Sequence, residues 1–98
     1  MVIATKRLSN AVSIEFDPKA HVAYIRLKSG KIAKTIEKSD HFLLDLNARG
    51  ELLGIEILNP HELSRNDFTS LFSQISRKYK TPNTRHIHPE FVPHVFAA

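Results

Sequence analysis

Apolar and polar residues alternate from Val12 to Leu58, and a period of two is typical of half-buried β-strands. Turn-forming residues interrupt the alternation and divide it into five segments. The predicted strands cover residues 12–16, 21–28, 31–38, 42–46 and 52–58. Consecutive strands joined by short turns usually pair with each other, so the pattern predicts a five-stranded antiparallel meander.

Two turns support this interpretation. Asp17-Pro18 carries the residues that a type I turn prefers at its first two positions. Ser29-Gly30 predicts a two-residue hairpin between the second and third strands, because glycine accepts the positive φ that such a turn requires. The third strand is rich in lysine, which suits a sheet edge, where charge discourages pairing with other chains.

The last two strands form the most strongly specified hairpin. If Asn47 pairs with Leu52, six large apolar side chains lie on one side of the sheet, and a slip of one residue would break this match. Those six residues are Phe42, Leu44, Leu46, Leu53, Ile55 and Ile57.

A helix is predicted over residues 64–80. Ser64 is a favourable N-cap, and Asp67 stands at the third helical position, as in a capping box. Pro82 ends the helix. An apolar stripe at helical spacing consists of Phe68, Leu71, Phe72, Ile75 and Tyr79. This stripe should lie on the apolar face of the sheet, which predicts a two-layer α+β domain.

The length of 98 residues predicts one domain spanning 1–98, with a β-sheet over 12–58, a helix over 64–80 and an extended arm over 83–98. The arm contains Phe91 and Phe96 and is too apolar for a purely solvated tail, so we expect it to dock on its own domain or on a neighbour.

Composition narrows the possible classes of protein. The chain has no cysteine, which excludes disulfides and thiolate metal sites. Its formal net charge of +4 permits acidic partners without requiring them. The charges of the first residues follow the short apolar run, unlike those of a signal peptide, and no apolar stretch approaches the roughly 18 residues of a membrane span. We therefore expect a cytoplasmic protein without membrane association.

Two segments resemble a small bacterial family, the domain of unknown function 2283. The first is the Phe-Asp-Pro turn with its following strand, residues 16–27, and the second is the Leu-Leu-Asp-Leu strand with the closing Gly-Ile-Glu-Ile-Leu strand, residues 43–58. The resemblance covers about half of the chain, from Ser13 to Asn59. It implies a fold signature without catalytic residues. Some family members look like partners of small toxin-like proteins, which implies a regulatory or antitoxin-like binding module.

Asp45 and Glu56 are the first candidates for chemistry, because they are diagonal neighbours on the sheet face opposite the predicted core. Paired carboxylates can perform acid–base catalysis or hold a divalent cation. No nucleophile, glycine-rich loop or second acidic cluster accompanies them, so a surface ion pair of Glu56 with Arg26 or a nearby lysine is the favoured interpretation. We therefore expect a non-enzymatic protein that has no catalytic residues and needs no cofactor.

The histidines are the second candidates. His86 and His88 lie on the same side of an extended segment, a spacing that zinc, nickel or copper can use, and His94 or the loop histidines His21, His41 and His61 could complete a site. Two histidines in an arm are nevertheless a weak and common pattern, so no metal site is predicted.

Arg26, Lys28 and Lys31 share the outer side of the predicted Ser29-Gly30 hairpin, with Tyr24 beside them. A basic two-stranded ribbon can enter a DNA groove, and an aromatic residue can stack on RNA bases. Nucleic-acid binding through residues 26–31 is therefore the alternative function, although a solvated hairpin is the simpler explanation.

The favoured function follows from apolar residues on the outward side of the strands, where a solvated sheet should be polar. These residues are Val22, Tyr24, Leu43, Leu52 and Leu58. We expect them to be covered by the arm through Phe91 and Phe96, by a second copy of the chain, or by another protein. The sequence thus predicts a protein-binding module, self-associating or docked on a protein partner.

Overall fold

The computed structural model describes residues 4–7 and 13–79. The alternating segments form strands, and the apolar stripe forms a helix on one side of the sheet, so the predicted α+β fold is confirmed. All strand pairs are antiparallel, and the five predicted strands are present. The strands are β1 (Ala4–Arg7), β2 (Ser13–Asp17), β3 (Val22–Arg26), β4 (Lys34–Glu37), β5 (Phe42–Leu46) and β6 (Leu52–Leu58), of which β1 adds a sixth strand that was not predicted.

The predicted meander order is wrong. The strands follow the order β1-β2-β3-β6-β5-β4, so β3 pairs with β6, and β4 lies at the edge beside β5. The backbone N–H groups of Leu27 and Lys28 both donate to the Leu53 carbonyl, at 2.8 and 3.1 Å. Residues 27–33 then cross to the far edge of the sheet, so the predicted two-residue hairpin at Ser29-Gly30 does not form. The lysine-rich strand does occupy an edge, as its charge indicates.

The β5–β6 hairpin follows the predicted register along most of its length. Phe42 lies opposite Ile57 and Leu44 opposite Ile55, but Leu46 lies opposite Leu52. The register shift at Asp45/Leu46 leaves Leu53 as an extra residue in β6. As a consequence, Leu52 is fully buried in the main core cluster.

The hairpin loop explains why the register shifts. The Asn47 side-chain oxygen accepts hydrogen bonds from the N–H groups of Arg49 and Glu51, both at 2.9 Å. Asn47 also pairs with Glu51 through the backbone, at 3.0 Å, and not with Leu52 as predicted. Gly50 has a φ of 81°, which glycine adopts without strain. A side chain that closes its own loop therefore decides the pairing at this end of the hairpin.

A short 3₁₀ helix (Pro60–Glu62) leads into α1 (Arg65–Lys78). The predicted capping box is confirmed, because the Asp67 N–H donates to the Ser64 hydroxyl at 3.2 Å and the Ser64 N–H donates to the Asp67 carboxylate at 2.7 Å. The hydrogen bond from the Ser64 backbone N–H to the Asp67 carboxylate lowers the pKa of Asp67 most, and a second one from the Ser64 hydroxyl, at 3.0 Å, lowers it further.

The core lies between α1 and one face of the sheet. Its buried residues include Phe68, Leu71, Phe72 and Ile75 from the helix, which pack against the aliphatic residues of β2, β3, β5 and β6. The predicted arm, residues 83–98, lies outside the described residues. Among the described residues, no helix is both long enough and apolar enough to cross a bilayer.

Candidate interaction face

Alternation along the strands divides their side chains between two faces. Ile14, Ile25 and Ile55 lie opposite one another in register and point toward α1, so their strand neighbours lie on the opposite side, here called the outer face. In β2 to β6 the outer face comprises Ser13, Glu15, Asp17, Val22, Tyr24, Arg26, Thr35, Glu37, Leu43, Asp45, Gly54, Glu56 and Leu58.

Asp45 joins the strands of the outer face through two hydrogen bonds. It accepts one from the Tyr24 hydroxyl at 2.9 Å and one from the Thr35 hydroxyl at 2.7 Å. The Tyr24 side chain crosses β6 at Gly54, where an added Cβ would collide with the phenol oxygen. These contacts connect β3, β6, β5 and β4, so they stabilise the relative position of four strands.

The Tyr24–Asp45 bond also determines the protonation of the tyrosine. Partial burial raises the pKa of Tyr24, and the hydrogen bond to Asp45 raises it further. Tyr24 therefore keeps its proton at neutral pH and acts as a donor to Asp45 and not as a base. The prediction from sequence missed this contact, although a glycine inside a strand pattern is a recognised sign of close approach.

The carboxylates of the outer face are not paired as predicted. Asp45 and Glu56 do lie on this face as diagonal neighbours. Arg26, however, pairs with Glu15 at 3.6 Å and lies 5.3 Å from the centre of the Tyr24 ring, so the predicted pairing of Glu56 with Arg26 is wrong. Glu56 lies between Tyr24 and Leu43 in the cross-strand register and is half-buried. It makes no hydrogen bond or ion pair with another described residue.

Three aliphatic residues form a continuous area on the outer face, here called the aliphatic patch. Val22 lies directly opposite Leu58, and Leu43 is the diagonal neighbour of Leu58 across the next pair of strands. All three are half-buried. Tyr24 follows Val22 on the same side of β3, so it borders the patch.

The other residues predicted for this surface do not join the patch. Leu52 was predicted there, but it packs in the core instead, because the extra residue Leu53 reverses the alternation of β6 at this point. Phe91 and Phe96 lie outside the described residues.

The predicted basic ribbon does not form. Arg26 ends β3, Lys28 pairs with Glu51 at 2.7 Å, and Lys31 is exposed in the segment that crosses to β4. Hydrogen bonds from Lys28 and then from Asn47 lower the pKa of Glu51. Two of the three cations are therefore engaged by carboxylates, and they do not line one two-stranded ribbon.

The histidines are distributed over several elements. His86, His88 and His94 lie outside the described residues. His41 Nδ1 is 2.9 Å from the Leu58 carbonyl, and the rings of His21 and His61 are 5.4 Å apart. Within the described ranges, no three metal-ligating side chains come together.

No curated protein and no solved structure shows significant similarity to this chain. A protein-family model does match, over residues 13–59, which begin with β2 and end one residue after β6. The match therefore includes every residue of the outer face as defined above. Residues 13–59 thus match the family described as "Protein of unknown function (DUF2283)", which confirms the resemblance noted in the sequence for this segment.

Proposed function

We propose that this protein is a non-enzymatic binding module that holds a protein partner on the outer face of its sheet, centred on the aliphatic patch. The observation that carries the proposal is the strand register, which brings Val22, Leu43 and Leu58 together on the face opposite α1. Within the described ranges α1 packs on the opposite face, and apolar side chains grouped on a sheet face that no described helix covers mark a surface for association.

The neighbouring side chains make this surface well ordered. Tyr24 is held over Gly54 by its bond to Asp45, and Asp45 is also held by Thr35. A surface that is already ordered loses little conformational entropy when a partner binds.

The test compares variants in a pull-down of tagged protein from its native cells, read by mass spectrometry. Replacing Leu43 and Leu58 together with Ser removes most of the patch while leaving the core intact. Ile32→Ser is the matched control, because Ile32 is an aliphatic side chain, 50% exposed, in the crossing segment outside the patch.

A protein retained by the wild type and by Ile32→Ser, but lost with Leu43→Ser/Leu58→Ser, would support the proposal. Circular dichroism of the double variant should match the wild type, since both substitutions lie outside the core cluster. A partner retained equally by all three proteins would show that the outer face is not the interface. Recovery that depends on nucleic acid, checked with nuclease, would instead favour the alternative function.

A further inference from the structure

The outer face and the chain as a whole have opposite charge. Strands β2 to β6 contribute five carboxylates and one guanidinium, that of Arg26, to the outer face, and the register of β1 adds Arg7 opposite Ser13. Carboxylates therefore outnumber cations on this face. The whole chain nevertheless has a formal net charge of +4. The basic surplus therefore lies elsewhere, and the outer face is the acidic side of a basic protein.

The carboxylates border the aliphatic patch. Leu43 lies between Glu37 and Glu56 in the cross-strand register, and Val22 lies between Leu58 and Asp17. A partner that covers the patch must therefore also cover or approach these three acidic side chains.

The acidic residues differ in how far they are already neutralised. Glu15 forms an ion pair with Arg26, and Asp45 accepts hydrogen bonds from the hydroxyl groups of Tyr24 and Thr35. The Asp17 carboxylate accepts hydrogen bonds from the backbone N–H groups of Lys19 and Ala20 in its own turn, at 3.0 and 3.3 Å. Glu37 and Glu56 have no ion pair or hydrogen bond within the described part of the chain. Covering these two with an uncharged partner would remove their water without supplying a cation, which is unfavourable.

We infer that the partner of this face is a different protein, one that presents arginine or lysine beside aliphatic side chains. The inference rests on the proposed function and specifies the chemistry of its partner. The aliphatic groups of the partner cover Val22, Leu43 and Leu58, while its cations approach Glu37 and Glu56.

Charge also argues against a second copy of this chain as the occupant. In a two-fold symmetric pair both copies present this same face, so five carboxylates with Arg7 and Arg26 would meet an identical set, and carboxylates would outnumber cations across the interface. Like charges at an interface oppose association, whereas a basic partner removes that repulsion.

A random peptide display library, selected separately on three immobilised proteins, tests the inference. The three are the wild type, Leu43→Ser/Leu58→Ser and Glu37→Lys/Glu56→Lys. The control is Asp40→Lys/Glu62→Lys, which makes the same change in net charge at two exposed residues outside the strands. Affinities of the selected peptides are then measured at low and high salt.

The wild type and the control should enrich peptides that combine arginine or lysine with aliphatic residues. Their affinity for Glu37→Lys/Glu56→Lys should fall roughly tenfold or more, because two attractive contacts become repulsive. That variant should in turn select acidic-aliphatic peptides. High salt should weaken wild-type binding, since the screening length falls from about 10 Å at 0.1 M to about 3 Å at 1 M.

The two proposals fail in different ways. Peptides that depend on Leu43 and Leu58 but are neutral or acidic, and that bind Glu37→Lys/Glu56→Lys unchanged, would overturn the basic partner and leave the binding face in place. Selection that is indifferent to Leu43→Ser/Leu58→Ser would overturn the binding face itself. A wild-type dimer in sedimentation that Leu43→Ser/Leu58→Ser dissociates would identify a second copy as the occupant and would also overturn the inference.

Discussion

The two faces of the sheet are held by different kinds of contact. The inner face is covered by α1, and residues such as Ile14, Ile25 and Ile55 are completely buried in one apolar cluster. On the outer face the aliphatic residues are only half-buried, and specific polar contacts join the strands, such as the hydrogen bond of Tyr24 to Asp45 and the ion pair of Arg26 with Glu15.

This difference indicates how the two faces respond to substitution. Burial is non-directional, so the inner face contributes stability roughly in proportion to the apolar area it removes from water. The outer face depends on a few contacts with defined geometry, and its exposed groups remain available to a partner. Substitutions on the inner face should mainly change stability, and those on the outer face should mainly change local contacts or binding.

The largest expected effect comes from removing a buried side chain of the inner face. Ile55→Ala should lower the free energy of unfolding by about 2–5 kcal/mol, because it loses burial and leaves a cavity against α1. Leu43→Ala, on the outer face, should cost about 1 kcal/mol or less, since Leu43 is only half-buried. Urea unfolding followed by circular dichroism measures both. Equal losses would contradict the distinction between the faces.

A smaller effect is expected where the outer face is tightly packed. Gly54→Ala should cost about 1–3 kcal/mol, because the new Cβ displaces the Tyr24 hydroxyl from Asp45. Gly54→Ala should cost less when it is made in the Tyr24→Ala background than in the wild type, because the space over residue 54 is then free. The measurement is a double-mutant cycle by urea unfolding. Strictly additive losses would show that residue 54 and Tyr24 do not restrict each other.

The smallest expected change in the free energy of unfolding comes from removing one hydroxyl group. Tyr24→Phe should cost about 1 kcal/mol at neutral pH, because it removes the hydrogen bond to Asp45. The pKa of Tyr24 is raised in the folded protein, so its contribution is complete below the ordinary tyrosine pKa of about 10 and is lost as pH rises above it. The stability difference between the wild type and Tyr24→Phe should therefore shrink at alkaline pH.

Urea unfolding at a series of pH values from neutral to strongly alkaline tests this dependence. Tyr79 is the only other tyrosine, so phenolate absorbance can follow the two groups separately in the wild type and the variant. A stability difference that is constant with pH would contradict the role of the Tyr24 proton.

Local signals in the sequence predicted several features correctly. Ser64 and Asp67 form the capping box that their spacing indicates, and Phe42 and Leu44 pair with Ile57 and Ile55. These features depend on residues a few positions apart or on a single hairpin. The predicted position of the aliphatic patch on the outer face was also correct for Val22, Leu43 and Leu58, because alternation alone assigns them to one side.

Long-range pairing could not be predicted in the same way. The lysines of β4 indicate an edge strand, but the short Ser29-Gly30 link favoured a position beside β3, and only the pairing of β3 with β6 decides between the two. The Tyr24–Asp45 bond joins residues 21 positions apart, so it becomes visible only when β6 lies between their strands.

By itself, the sequence determined the fold class, the helix with its cap, and the division of most strand residues between two faces, because all of these follow from local periodicity. The tertiary structure alone decided the strand order, the burial of Leu52 and the contacts of Tyr24 with Gly54 and Asp45. The physical reason is that these depend on which distant strands become neighbours. One extra residue at Leu53 reverses the alternation within β6, and a periodic pattern contains no information about such a shift.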